Sequence, residues 1–254
     1  MSDVAANPAP SDPIIAVTKL TKSFGAATVL SDVSFTLNQQ ENLVVLGKSG
    51  SGKSVLVKLI VGLLSANGGS IKVFDQEVTK LNENDLNQLR QKIGFLFQSG
   101  ALYDSMSVRE NLEFPLRRIR KNLNREERDA KIQEVLDSVG LADSIDMMPS
   151  ELSGGMRKRI GLARTIVVDP MIMLYDEPTT GLDPTTSHEI SELILKVQED
   201  YKTSSIIITH DIACARIVAN RLLMLQDGKV YKEGVLDDFE NSDDIVIQSF
   251  FRSI

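Results

Sequence analysis

Eight residues, Gly47-Lys48-Ser49-Gly50-Ser51-Gly52-Lys53-Ser54, follow the short apolar run Asn42 to Leu46 and have the make-up of a loop that wraps phosphate. Glycines let backbone N–H groups close around phosphate oxygens, and a helix starting there adds its positive end. Gly47, Gly50 and Gly52 supply that freedom, with Ser49 and Ser51 between them. Lys53 is placed to reach the β- and γ-phosphates as a point charge, and the Ser54 hydroxyl to ligate Mg2+. Val55 carries the binding stretch into the helix. Lys48 fills a variable position of the pattern, and its ammonium is expected in solvent. A Gly/Ser loop can merely cap a helix, but the full G-x4-G-K-S between an apolar strand and an apolar helix points to a nucleoside triphosphate.

Carboxylates stand further along, where the apolar run Ile172-Met173-Leu174-Tyr175 ends in Asp176-Glu177-Pro178. A strand that ends in acids puts them at the carboxyl edge of a parallel sheet, where ligands bind in α/β folds. Asp176 is then placed to hold Mg2+, directly or through water. Glu177 is placed to polarise an attacking water as a general base. Alone, Asp-Glu-Pro could simply end a strand; the phosphate loop upstream favours the catalytic reading. His210 ends the run Ile206-Ile207-Ile208-Thr209 and Gln98 ends Phe95-Leu96-Phe97. Each, taken singly, is compatible with a structural role. Between them lies Leu152-Ser153-Gly154-Gly155-Met156, in which the Ser153 hydroxyl and the following backbone N–H groups make a second anion-binding surface at a helix start.

This combination resembles the ATP-binding cassette (ABC) ATPases over nearly the whole chain. The resemblance implies ATP with Mg2+, held on a P-loop (RecA-like) α/β core with an antiparallel β subdomain and an inserted helical lobe. It also implies a head-to-tail dimer with a second copy of the chain. Each ATP would lie between the phosphate loop of one copy and Ser153-Gly154-Gly155 of the other. By the same resemblance His210 is the switch histidine at the γ-phosphate, and Gln98 is the Q-loop glutamine near the Mg2+ and the attacking water. The catalytic set is thus Glu177, His210, Gln98 and Lys53, and the Mg2+ set Ser54, Gln98 and Asp176. Phe24 sits where the family has an adenine-stacking aromatic, with a core role as the alternative. Gly181-Leu182-Asp183 resembles the D-loop that crosses the dimer interface. Met156 and Gly181 depart from the commonest patterns without removing a group that phosphate chemistry needs.

Elements must position these groups. Residues 1–13, rich in Ala, Pro, Ser and Asp, read as a loose tail. Val33-Ser34-Phe35-Thr36-Leu37 alternates as a half-buried strand does. The helix from Lys53 to Leu64 is apolar almost all round and is expected between sheet layers. Gly68-Gly69 reads as a turn before a strand from Ile71 to Phe74. From about Gln98 to Val168 helical signals dominate: Ile132, Val135, Leu136 and Val139 define one face, and the basic run Arg117 to Lys131 reads as a solvated helix face. Strands return at Ile172 to Tyr175 and Ile206 to Ile208, and Asp227-Gly228 between apolar runs predicts a hairpin. The order predicts a nucleotide-binding core over 14–97 and 160–235, a helical lobe over 98–159 and a C-terminal tail over 236–254. In that tail Ile245, Val246, Ile247, Phe250, Phe251 and Ile254 are expected to pack on their own core, with docking on a partner ATPase chain as the alternative.

Composition narrows the function classes. A net charge of −7 argues against nucleic acid as a partner. The single cysteine, Cys214, excludes an internal disulfide and reads as a small buried hydrophobe. His188 receives no role. No signal-peptide pattern opens the chain, and the best apolar run, Val55 to Leu64, is broken by Lys58 and Gly62. The expectation is a cytoplasmic chain held peripherally at the inner membrane by a permease. The segment Gln98-Ser99-Gly100-Ala101-Leu102-Tyr103-Asp104-Ser105-Met106-Ser107-Val108-Arg109-Glu110-Asn111 resembles the Mla-type phospholipid transporter ATPases. Pro149-Ser150-Glu151, Met156 and the acidic stretch Phe239 to Asp244 point the same way. That likeness implies an integral-membrane permease dimer, a STAS-domain subunit and an MCE-type lipid-binding protein, with phospholipid moved between inner and outer membranes. The alternatives are an importer cassette for another solute, or an ABC ATPase acting on nucleic acid or ribosomes, which usually carries two cassettes or a coiled-coil insertion. A P-loop kinase or GTPase would leave Leu152–Met156 unexplained.

Overall fold

The apolar runs that end in the phosphate loop and in the acids become inner strands of one sheet. The computed structural model describes residues 13–98 and 100–251; the expected loose tail up to residue 12, Ser99 and Ile254 lie outside them. The strands are β1 (Ile15–Phe24), β2 (Ala27–Leu37), β3 (Asn42–Leu46), β4 (Gly68–Val73), β5 (Gln76–Glu77), β6 (Ile93–Leu96), β7 (Ile172–Asp176), β8 (Ser204–Thr209), β9 (Arg221–Gln226) and β10 (Lys229–Gly234). The helices are α1 (Lys53–Ile60), α2 (Glu83–Arg90), α3 (Val108–Ile119), α4 (Arg125–Ser138), α5 (Gly154–Ile166), α6 (Pro184–Tyr201), α7 (Ile212–Val218), α8 (Leu236–Glu240) and α9 (Ile245–Phe251). One sheet has the order β2-β1-β4-β5 and pairs antiparallel. The other has the order β10-β9-β3-β8-β7-β6, parallel except for β10 at its edge.

Side-chain alternation sorts this parallel sheet onto two cores. Leu43, Val45, Ile172, Leu174, Ile206 and Ile208 face α1, α2 and the antiparallel sheet. Val44, Leu46, Met173, Tyr175 and Ile207 face α3 to α7. Burial on both faces is why these strands read as continuous apolar runs rather than as alternating ones. The expected α/β core with an antiparallel sheet is present, and α3 and α4 lie between β6 and β7 in the chain. Ile132, Val135, Leu136 and Val139 form the buried face of α4, as their spacing predicts.

Several local expectations need correction. The helix after the phosphate loop stops at Ile60 rather than Leu64, because the Leu63 and Leu64 N–H groups fold back onto the Lys58 carbonyl at 2.8 and 3.2 Å. Gly68 and Gly69 are the first residues of β4, not a turn. That strand ends at Val73, because Phe74 and Asp75 turn at φ 50° and 61°. The basic run Arg117 to Lys131 is two helix ends rather than one solvated face. Asn124 caps α4 reciprocally with Glu127. Arg120 and Lys131 then converge on Asp169, just before β7, at 3.0 and 2.8 Å. The Tyr103–Ser107 loop is held by buried Asn111, which accepts from Tyr103 N and donates to the carbonyls of Tyr103, Met106 and Ser107. In the tail, Ile247 and Phe251 are buried against the chain's own core beside Phe239, whereas Ile245 is exposed.

The β9–β10 hairpin turns through Asp227 and Gly228 at φ 47° and 73°, the double left-handed geometry that an Asp-Gly pair favours. It also joins the two sheets, since Gly228 O accepts from Ser31 N at 2.8 Å. A Cβ at Gly228 would stand 2.3 Å from Val29 O. Gly228→Ala is therefore expected to cost about 2 kcal/mol of stability, seen as a lower urea midpoint at unchanged m-value.

Candidate nucleotide site

β3 delivers the chain into the phosphate loop, and α1 leaves it with Gly52 as its left-handed N-cap. Lys53 is buried at 7% exposure, and its ammonium donates to Gly47 O at 2.6 Å and Lys48 O at 3.2 Å. The Lys53 side chain thus folds back across the loop. Ser51 Oγ is buried without a hydrogen-bond partner, a spare polar group in the wall of the phosphate cradle. An anion in this loop would meet Lys53 and the N-terminus of α1 together.

β7 and β8 run in parallel register, with Asp176 opposite Ile208. Asp176 Oδ1 accepts from Ser54 Oγ at 3.3 Å, joining the end of β7 to the start of α1. Glu177 follows in the left-handed region at φ 51°, its N–H bonded to Ile208 O at 2.8 Å. Its carboxylate gathers three neighbours. His210 Nδ1 lies 2.8 Å from Oε2, Thr180 Oγ1 donates to Oε2 at 3.2 Å, and Lys53 Nζ stands 3.8 Å from Oε1. The His210 backbone N–H also donates to Oε2, at 3.3 Å.

Lys48, Ser49, Gly50, Gly52, Lys53, Ser54, Val55, Gln98, Asp176, Glu177 and His210 line one cleft of about 610 Å³. Most residues singled out in sequence for phosphate and water chemistry therefore meet in one place. Lys48 is exposed as expected and additionally lies over the Phe250 ring at 5.9 Å. Phe24 does not line the cleft; it is exposed, with Lys22 Nζ 4.9 Å from its ring, and plays no core role. Ser153, Gly154, Gly155 and Asp183 also lie outside it. Ser153 caps α5 by accepting from Met156 N at 3.2 Å, and Asp183 caps α6 by accepting from Thr186 N at 3.0 Å. These two segments pack on each other: a methyl at Gly155 would stand 2.6 Å from Thr186 Cγ2. Sequence reading missed Thr180, which follows the acids in a loop and has no periodic signal, and it assigned Phe250 to the tail without placing it at this cleft.

A hydroxyl beside a carboxylate suits Mg2+, which takes one or two carboxylates and fills its shell with phosphate and water oxygens. Ser54 and Asp176 supply that pair. Among the described residues no cluster of three or more His, Cys, Asp or Glu is arranged for a metal. Burial raises the Asp176 carboxyl above the ordinary carboxylate range; the Ser54 bond and Lys58 and Lys53 oppose this, while Glu177 adds to it. Burial also lowers Lys53 below the ordinary lysine range, against the pull of Glu177 and Asp176.

A carboxyl with a folded pKa above its unfolded value costs stability once ionised and nothing when both states are protonated. Asp176→Asn is therefore expected to raise the melting temperature of the nucleotide-free protein at about pH 7.5. The gain should shrink as pH falls through the folded pKa of Asp176, towards the unfolded value near about 4. Thermal melts of both proteins across that range check the sign.

The sequence matches the ABC transporter family over residues 30–180. It is 40% identical over 94% of its length to the protein named "Probable ribonucleotide transport ATP-binding protein mkl" of Mycobacterium tuberculosis, and spans 66% of that relative. It is 37% identical over 88% of its length to the methionine import ATP-binding protein MetN of Corynebacterium glutamicum, and spans 62% of that one. Among solved structures, a dimeric ATP-binding cassette in a post-hydrolysis state with ADP and Pi is similar at TM-score 0.79 and 33% identity, covering 87% of this chain and 98% of that one. CbiO1 of Clostridium perfringens, part of an ABC transporter complex, is similar at TM-score 0.85 and 25% identity, covering 96% of each chain. With a phosphate loop, terminal strand acids and parallel sheet arranged as described, this chain belongs to the ABC transporter family, as an ATPase cassette.

Proposed function

We propose that this cassette is the ATP-hydrolysing subunit of a membrane transporter, with phospholipid as cargo moved between inner and outer membranes to maintain lipid asymmetry. The observation that carries the catalytic part is the Glu177 carboxylate, 2.8 Å from His210 Nδ1 and 3.8 Å from Lys53 Nζ in the phosphate-loop cleft. In this reading Lys53 and the loop amides bind the β- and γ-phosphates of ATP. Glu177 orients a water and takes its proton as the water oxygen bonds to the γ-phosphorus. The bond from that phosphorus to the β–γ bridging oxygen breaks, releasing ADP and phosphate. Mg2+, held by Ser54 and Asp176 with Gln98 nearby, would neutralise charge on the phosphate oxygens. His210 holds the Glu177 carboxylate and faces the γ-phosphate.

Two copies would close head to tail over ATP, with Ser153, Gly154 and Gly155 of one copy facing the phosphate loop of the other and Asp183 at the joint. Phe24 would stack on adenine from its exposed position. Residues 98–159 form the lobe that meets the permease in this reading. A groove of about 230 Å³ lined by Phe95, Tyr103, Phe114 and Arg164 supports it. No helix among the described residues is long and apolar enough to cross a membrane, so the proposed seat is the cytoplasmic face of the inner membrane, through a permease dimer. The phospholipid cargo, the STAS-domain subunit and the MCE-type lipid-binding protein rest on the likeness of residues 98–111 to Mla-type cassettes. A second reading, an importer cassette for another solute, is favoured by the relatives named for ribonucleotide and methionine transport.

Glu177→Gln is expected to keep ATP binding, trap a closed dimer and lower kcat by about 10²-fold or more; steady-state ATPase and nucleotide-binding measurements check this, and a wild-type rate removes Glu177 as the base. Cargo is tested by purifying the tagged protein from its native membrane in mild detergent and identifying co-purified subunits and lipids by mass spectrometry. A permease with an MCE-type protein, a STAS subunit and enriched phospholipid is expected. A permease with a soluble-solute binding protein would keep the ATPase and overturn the cargo.

A further inference from the structure

Arg157, Lys158 and Arg159 read as one basic patch near the start of α5, yet the fold sends them to different places. Arg159 pairs with Glu189 at 2.5 Å, and Arg157 donates to Leu152 O at 3.4 Å. Lys158 turns inward and is 5% exposed. Its ammonium has one hydrogen-bond acceptor among the described residues, the backbone carbonyl of Glu177 at 3.4 Å. Burial lowers this lysine below the ordinary range, and Glu177 and Asp176 push back against it.

Stability alone gives a poor account of such a residue. A lysine ammonium has three donors to satisfy, and burying it without a close ion pair is costly where a hydrophobe of similar length would fit. What it touches is more informative. Glu177 is a non-glycine residue in the left-handed region at φ 51°, a conformation that persists only when its surroundings hold it. Ile208 O takes its N–H, and His210 and Thr180 hold its carboxylate. Its carbonyl accepts from the Thr180 N–H at 3.3 Å within the turn and from Lys158 at 3.4 Å, the one side chain that reaches it from another element among the described residues.

We propose that Lys158 is a positioning residue for Glu177: from α5 it fixes the carbonyl of the left-handed turn and so aims the carboxylate into the nucleotide cleft. The proposal rests on the reading of Glu177 as the base for ATP hydrolysis. It also ties that base to the Leu152–Met156 segment, because Lys158 lies about 7.5 Å along the helix axis from the Ser153 cap. A shift of Ser153 then carries Lys158, and with it the aim of Glu177.

The test uses the purified full chain with ATP and compares wild type, Lys158→Met, Lys158→Arg and Glu177→Gln. Methionine keeps most of the side chain's length and packing and removes the donors. Small misplacement of a catalytic group costs up to about 10²-fold. Lys158→Met is accordingly expected to lose about 10-fold or more in kcat, with KM for ATP and melting temperature near wild type, and Lys158→Arg to recover most of the rate. If Lys158→Met does not fold, Lys158→Gln, whose amide falls short of the carbonyl, is read the same way. The proposal is overturned if the donor-deleted variant turns over at the wild-type rate while Glu177→Gln is inactive. It is equally overturned if the Met and Arg variants lose rate, ATP affinity and thermal stability together, which marks a packing role. A Glu177→Gln enzyme at the wild-type rate instead removes the base reading itself, and this proposal with it.

Discussion

Three strands far apart in the chain end level with one another because their backbone hydrogen bonds run in parallel register. Leu46 of β3 stands opposite Thr209 of β8, and Ile208 of β8 stands opposite Asp176 of β7. Most groups in the cleft hang from one of those three ends, while Gln98 follows β6 and Phe250 comes from α9. The phosphate loop continues β3, His210 continues β8, and Asp176 and Glu177 finish β7. A slip of one residue in either pairing would exchange the side chains packed into the two cores. Burial on both faces therefore fixes the register, and the register places the site.

The cleft this creates holds its charged groups against the cost of burial. Burial shifts Lys53 and Asp176 towards their neutral forms, and each is partly held back by charges of the opposite sign. Lys53 spends its donors on loop carbonyls, while Ser51 Oγ stays unpartnered. A site so arranged is complementary to a phosphate-bearing ligand with its cation. Preorganised charge of this sort stabilises developing charge without rearrangement at the moment of reaction.

Around the cleft the two cores divide the labour. The core that contains α1, α2 and the antiparallel sheet fixes the phosphate loop from one side. The core that contains α3 to α7 also takes in Phe239, Ile247 and Phe251 of the tail, so α9 is anchored on its own chain while Phe250 reaches the cleft. α5 packs within the second core and carries both the Ser153 cap and buried Lys158. One rigid element thus links a glycine-rich segment outside the cleft to the backbone of Glu177 inside it.

The sequence by itself determined the elements with strong local codes. The phosphate loop follows an apolar strand, Asp176-Glu177 ends another, Ile132 to Val139 mark a helix face, and Asp227-Gly228 makes a turn whose φ values few other pairs adopt. These signals are short-range, set by periodicity, glycine conformation and strand ends. Only the tertiary structure decided where α1 stops, that Gly68 and Gly69 belong to a strand, and that the basic run Arg117 to Lys131 is split and tied to Asp169. It alone separated Lys158 from its two arginine neighbours, left Phe24 outside the cleft and brought Phe250 to its rim. Those outcomes depend on which distant groups share a buried volume, and burial and pairing across the fold are not encoded in the spacing of adjacent residues.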